Sequence, residues 1–280
     1  MRTRARFLPG PLVLLAFVVI GTSFTTRSVA AQWLNQPTPG VPRKADGKVD
    51  MSAPAPRMTD GKPNFSGVWA GPAFSHVIGP NDTDTPRVTN FDRSRMAPFL
   101  PGAEAKFFQR PSGDLRHDDP TELCLPDGHP REALAPYAQQ IVQTPEMVVI
   151  LYEYMHFFRV IPIGKPHAPD VELTFMGDAV AKWEGDTLVI DTIGLREWTL
   201  SASNGWHSDA LHTIERLKHI DSTTVSYEIT VDDPKIFTRP WSQTFQMKLH
   251  PTWSLLEQVC EENNRCQGGN CTLSDSQKSK

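Results

Sequence analysis

Residues 152–159 read Tyr-Glu-Tyr-Met-His-Phe-Phe-Arg, so Glu153, His156 and Arg159 interrupt an otherwise apolar run. An acid, an imidazole and a guanidinium near one hairpin can orient a substrate and move a proton, because histidine titrates near neutral pH. The plainer alternative is a structural network in which Glu153 pairs with Arg159 and His156 caps a turn, since buried charges are normally paired.

A second group lies in residues 206–216, Trp-His-Ser-Asp-Ala-Leu-His-Thr-Ile-Glu-Arg. His207 falls in a loop and His212 at the start of a strand; loops at a barrel mouth are where binding and catalysis concentrate. Glu215 has ligand chemistry too, but three residues separate it from His212, which puts the two on opposite faces of a flat strand. No helical His-x-x-x-His spacing is present, so no metal is assigned. Asp191 shares a strand face with Thr187 and Val189; facing water is the default, and a polar cavity is the alternative. Trp198, Trp206 and Tyr227 could wall a cavity for an aromatic ligand, or serve as ordinary core. Arg131 could clamp a carboxylate, although a disulfide-anchored structural loop over 124–131 explains the same residues.

Positioning these groups falls to short elements. The chain has 280 residues, 39% hydrophobic and 21% charged, which suits a globular protein of one or two domains. Its 25 prolines argue against long helices. After residue 139, apolar runs at 140–143, 147–154, 157–163, 178–183, 187–192, 211–220, 223–231, 241–249 and 255–260 alternate with compact turns such as Glu184-Gly185-Asp186. Short turns force antiparallel neighbours, because parallel pairing needs a crossover of a dozen residues or more. With 65–71 as a first strand, the expectation is an all-β antiparallel meander closing into a barrel, which removes aggregation-prone edges. A Pro-rich irregular region and one short helix near 102–109 precede it.

The Asn64-Phe65-Ser66-Gly67-Val68-Trp69 stretch puts a Gly-x-Trp on that first strand and resembles the opening of lipocalin and related calycin barrels. The segments 124–131, Cys-Leu-Pro-Asp-Gly-His-Pro-Arg, 183–192, Trp-Glu-Gly-Asp-Thr-Leu-Val-Ile-Asp-Thr, and 238–241, Thr-Arg-Pro-Trp, are similar to an uncharacterised family of secreted bacterial proteins. The second likeness spans most of 64–263 and brings no activity with it. The first implies a lipocalin-like barrel around a small, often apolar ligand, from which the long 71–139 insertion departs.

Residues 1–31 carry Arg2, Arg4 and Arg6, an apolar run at 12–20 and Val29-Ala30-Ala31, the pattern of a secretory signal peptide. The run is about half of the ~20 residues a membrane span needs. A flexible Pro-rich leader over 32–63, one domain over 64–263 and a tail over 264–280 follow. Removing four arginines leaves 28 − 4 = 24 basic against 32 acidic residues, a net charge near −8. That sign repels phosphate backbones and anionic lipid, so no nucleic acid partner and no stable membrane insertion are expected. Four cysteines in an exported chain, periplasmic or secreted, read as two disulfides; Cys124 with Cys260 and Cys266 with Cys271 is the preferred pairing. The nucleophile elbow, dinucleotide, phosphate-loop and zincin motifs are missing, so no cofactor is assigned. Two functions stay open. One is an acid/base enzyme without organic cofactor (isomerase, lyase or simple hydrolase) acting on a small organic molecule through Glu153, His156, Arg159, His207, His212 and Glu215. The other is a carrier of such a molecule.

Overall fold

The computed structural model describes residues 42–48, 50, 53–71, 97–108, 119–200 and 205–260. The segment 1–31, expected to be a signal peptide, and the expected Cys266 to Cys271 disulfide lie outside the described residues.

Period-2 alternation is the local cause of the fold. In the strand Thr224–Asp232, Val225, Tyr227, Ile229 and Val231 are buried while Ser226, Glu228 and Thr230 are half-buried, which is what a strand with one face on a core requires. Eleven strands form among the described residues, in chain order: β1 Gly67–Ala70, β2 Ala138–Gln143, β3 Met147–Tyr152, β4 Phe158–Pro162, β5 Asp178–Glu184, β6 Thr187–Ile193, β7 Trp198–Thr199, β8 Trp206–His207, β9 His212–His219, β10 Thr224–Asp232 and β11 Trp241–Leu249. Nine make one antiparallel sheet in the order β4-β3-β2-β1-β11-β10-β9-β6-β5. The sheet curls until its two edges meet: Ile163 bridges Ala181, and the Gly164 amide donates to the Ala181 carbonyl at 2.7 Å. The result is a nearly closed barrel, as the meander predicts.

Turn chemistry sets the registers. At the β5–β6 hairpin Glu184 faces Thr187, leaving a two-residue loop in which Gly185 takes φ 61°. Such a loop matches the strand twist and needs a residue tolerant of positive φ. Before β10 the Asp221 carboxylate accepts from the Thr223 amide at 2.8 Å and closes the turn.

Inside the barrel, Trp69, Ile141, Leu188, Ile190, Leu217, Ile229 and Met247 are each 3% exposed or less. The Trp69 indole N–H, which would be costly to bury unbonded, donates to the Phe65 carbonyl at 2.9 Å. These side chains pack the middle of the barrel.

Four features differ from the sequence reading. The run at 255–260 makes no strand; it lies as an extended segment tethered to the 153–156 turn by side-chain bonds. The chain has two short helices among the described residues, α1 Ala103–Phe107 and α2 Arg131–Leu134, because Pro130 opens a second turn of helix. β7 and β8, which lie between two of the expected runs, form a separate ribbon, while β6 pairs with β9 as the succession of runs predicts. Part of the leader packs on the barrel, where Arg57 meets Asp186 at 2.7 Å.

No described helix is long and apolar enough to cross a membrane. Cys124 and Cys260 are disulfide-bonded, closing a sequence separation of 136 residues.

Candidate functional site

One end of the barrel is polar, and the segment 119–135 covers it. On β9 the inward positions are Thr213, Glu215 and Leu217; on β4 they are Arg159 and Ile161. Around the barrel, across the seam where β4 meets β5, the strands carrying Arg159 and Glu215 are separated by β5 and β6, so the two side chains meet across the interior. Arg159 Nη1 donates to Glu215 Oε1 at 3.1 Å, and Nη2 lies 2.7 Å from Oε2 as a charge contact. Arg159 Nη2 also donates to Thr192 Oγ1 at 2.8 Å, and the Tyr227 hydroxyl donates to Glu215 Oε1 at 2.8 Å. Burial opposes the charge on Glu215, but the Arg159 guanidinium holds its carboxyl below the usual range.

His129 enters this end from the covering segment, and its peptide bond to Pro130 is cis. Its Nε2 is 2.8 Å from Thr213 Oγ1 and 3.7 Å from Glu215 Oε2. Complete burial, reinforced by Arg159, lowers its pKa to about 3, so the ring is neutral. The same segment holds a tight charge cluster. Arg131 pairs with Asp119 at 2.8 Å and with Asp127 at 3.0 Å, and burial raises Asp127 to about 6 despite Arg131. Glu132 is 2% exposed and neither of its oxygens has a hydrogen-bond partner. Burial, and then the nearby Asp127, push its carboxyl up to about 9; at neutral pH it is a neutral acid. His129 Nδ1 and His207 Nε2 are likewise buried without partners. The Tyr152 hydroxyl lies against Arg159 without an aligned hydrogen bond, and burial raises its pKa well above the usual phenol range.

The candidate residues of the sequence separate into five places. Arg159, Glu215 and Tyr227 come together inside the barrel. Glu153 and His156 do not join them: Glu153 Oε2 accepts from the Leu256 amide and His156 Nε2 from the Gln258 amide, each at 3.0 Å. They hold the C-terminal segment, because the 3-10 turn Tyr154–His156 directs them outward while alternation turns Arg159 inward. Arg159 pairs with Glu215, and not with Glu153 as the structural alternative for this hairpin had it. Arg131 is engaged by Asp119, Asp127 and Thr121 and clamps the loop. Trp198 and Trp206 pack edge to face at 5.6 Å across the β7–β8 ribbon, with the Trp198 indole donating to the Pro126 carbonyl at 2.7 Å. His207 is 1% exposed, its Nδ1 2.9 Å from the Ser208 carbonyl, and burial lowers it to about 4.

His212 and Asp191 sit on the outer face. As the three-residue spacing requires, His212 points out while Glu215 points in. His129, Glu132, Tyr152, Thr192 and Thr213 belong to the inner network and were not singled out from sequence. His129 was within reach, since it lies in the Cys124–Arg131 motif beside the chosen arginine.

The inner groups predict a pH dependence of stability. His129 and His207 titrate at about 6.5 unfolded and at about 3 and about 4 folded, so the stability they confer is whole above pH 6.5 and lost as pH falls. Asp127 and Glu132 are raised from 3.8 to about 6 and from 4.5 to about 9, so their contribution is whole below the unfolded values and lost as pH rises. Between about pH 4.5 and 6 the two pairs oppose each other, and from pH 6.5 to 9 Glu132 alone among the four still changes. Urea unfolding over that upper window is expected to show stability falling by about 1.4 kcal/mol per pH unit. Glu132→Gln should flatten the slope.

No family model matches the chain, and no curated protein and no solved structure is significantly similar to it, so the capped, polar end of the barrel has to be understood from its own geometry.

Proposed function

We propose that the protein is exported and acts by acid/base chemistry, without an organic cofactor, on a small organic molecule bound beneath the 119–135 segment at the polar end of the barrel. The observation that carries this is the set of buried groups with no partner: both Glu132 oxygens, His129 Nδ1 and His207 Nε2. Native proteins pair nearly all buried polar groups, and unpaired ones concentrate where a ligand or a reaction needs them. Glu132 is a neutral acid and can give a proton; His129 is a neutral imidazole and can accept a hydrogen bond. Their environments drive the two pKa values apart, the arrangement by which enzymes separate acid and base roles. Arg159, fixed by Glu215 and Thr192, keeps a positive charge next to the site. The reaction classes that need only these parts are isomerisation, elimination and simple hydrolysis.

The test is mass spectrometry of small molecules after the mature chain, 32–280, is incubated with extract of its own culture. Depletion of one compound with growth of a product is expected, slowed at least ~100-fold in Glu132→Gln. A compound returned unchanged at one per protein would instead make the barrel a carrier.

A further inference from the structure

The outside of the barrel wall is not uniform. On β5 and β9–β11 the outward positions include Lys182, Glu184, Arg216, Lys218, Glu228 and Lys248, as on an ordinary wetted sheet. On β2, β3 and β4 they are apolar: Val142, then Met147, Val149 and Leu151, then Phe158 and Val160. None of the outward positions of these strands carries a charge. Cross-strand registers join the side chains into one patch, since Val142 faces Val149, Val149 faces Val160 and Leu151 faces Phe158. Phe158, Val160, Val142 and Met147 are 61%, 53%, 43% and 39% exposed, and among the described residues no other strand of the sheet presents a large apolar side chain so open. We propose that the β2–β3–β4 face is the interface through which two copies of this chain form a dimer, packed sheet on sheet about a two-fold axis.

Shape, charge and area each select a second copy. The inward residues of these strands, Ile141, Val148, Ile150 and Ile161, already belong to the core, so the sector is apolar on both sides. That is the pattern of a sheet buried on both faces. Short side chains on a pleated sheet make a broad, flat surface, and what fits it at the ~10 Å spacing of packed sheets is another such sheet. A two-fold axis makes the same patch serve on both partners.

The chain has a net charge of −4, so two copies repel wherever their acidic surfaces meet. On the β2–β3–β4 face they approach without opposing like charges. A face with no lysine or arginine also lacks the groups that hold a protein to an anionic bilayer. Beyond its edge, at the end where β2 turns into β3, Glu146 and Lys165 are both exposed. A two-fold axis along β3 lays β4 of one copy over β2 of the other. It carries Lys165 of each copy toward the turn that holds Glu146 of the other, which gives the rim complementary charges.

Three strands ~4.8 Å apart and about five residues long, at ~3.3 Å per residue, cover roughly 250 Å², which the side chains raise to about 400 Å² of accessible surface. Such a patch is the size of the largest on typical monomers, where it is often functional. A standard interface covers about 800 Å² on each partner, an apolar core within a polar rim. The face supplies that core and its surroundings the rim, which makes the dimer reversible, with a micromolar Kd, and not obligate.

Sedimentation equilibrium of the mature chain, 32–280, from about 1 to about 200 µM tests this. A monomer–dimer equilibrium is expected. Val160→Glu sets like charges against each other across the interface and should weaken association at least ~100-fold, with near-UV circular dichroism unchanged. Val142→Lys should do the same, and it decides if the first variant loses that signal. Gln246→Glu, an added charge on the outward face of β11, should leave Kd unchanged. A wild type that stays monomeric throughout, or a dimer with equal Kd in the folded face variants, overturns the proposal. So does flotation of the monomer with phosphatidylcholine vesicles that the face variants abolish, which gives the patch to a bilayer.

Discussion

Arg159→Ala is expected to destabilise the protein by about 3–5 kcal/mol, the cost of leaving a buried charge without its partner. Glu215 is 1% exposed, and its two oxygens depend on Arg159 and Tyr227. Without the guanidinium, the carboxylate must stay charged in an apolar barrel or take up a proton, and either choice costs stability at neutral pH. Urea unfolding followed by tryptophan fluorescence measures the loss. Two companion results separate a charge effect from a packing effect. The deficit should shrink below pH 4.5, where Glu215 is protonated in the unfolded chain as well. The double variant Arg159→Met with Glu215→Leu should lose less than Arg159→Ala alone, because apolar replacement of a whole buried pair is often nearly neutral. A double variant as damaged as the single one would show that the ion pair does not set the stability of this end.

Replacing both Cys124 and Cys260 by serine should cost about 2–5 kcal/mol. The bond spans a sequence separation of 136 residues, and closing so long a loop removes unfolded-state entropy worth up to about 5 kcal/mol. Its placement makes the effect more than entropic. Cys124 ends the 3-10 turn Pro120–Leu123 in the covering segment, while Cys260 ends the extended segment that Glu153 and His156 hold by the amides of Leu256 and Gln258. Cutting the bond frees the covering segment that carries Glu132 from one of its anchors. Water then reaches that carboxyl, its pKa falls toward the ordinary value, and the decline in stability between pH 6.5 and 9 should flatten. Unfolding of the serine variant across that range reads both effects. A loss of stability with the slope intact would mean that α2 and the Arg131 ion pairs hold the cover without the disulfide.

The meander was legible because its causes are local. Alternation in 224–232 and the two-residue Gly185-Asp186 loop each act over a few residues, and so does the rule that sets His212 and Glu215 on opposite faces. The run at 255–260 misled for the same reason. It is apolar enough for a strand, but the sheet edge at that point is closed by β4 meeting β5, which leaves it no partner. Glu153 and His156 look like companions of Arg159 at distances of six and three residues, yet a positive-φ turn at Met155 and His156 sends them away from it.

The amino-acid sequence by itself determined the strand periodicity, the antiparallel order, the choice of Cys124 and Cys260, and the inward or outward sense of most polar residues, because each depends on neighbours a few positions away or on a handful of possible pairings. Tertiary structure alone decided which of those residues meet. Arg159 and Glu215 are 56 positions apart, His129 and Thr213 are 84 apart, and Asp191 reaches His212 only because β6 skips the β7–β8 ribbon to pair with β9. Contacts across a closing barrel follow from its curvature and strand stagger, quantities that arise from the whole sheet and leave no mark on any short stretch of sequence.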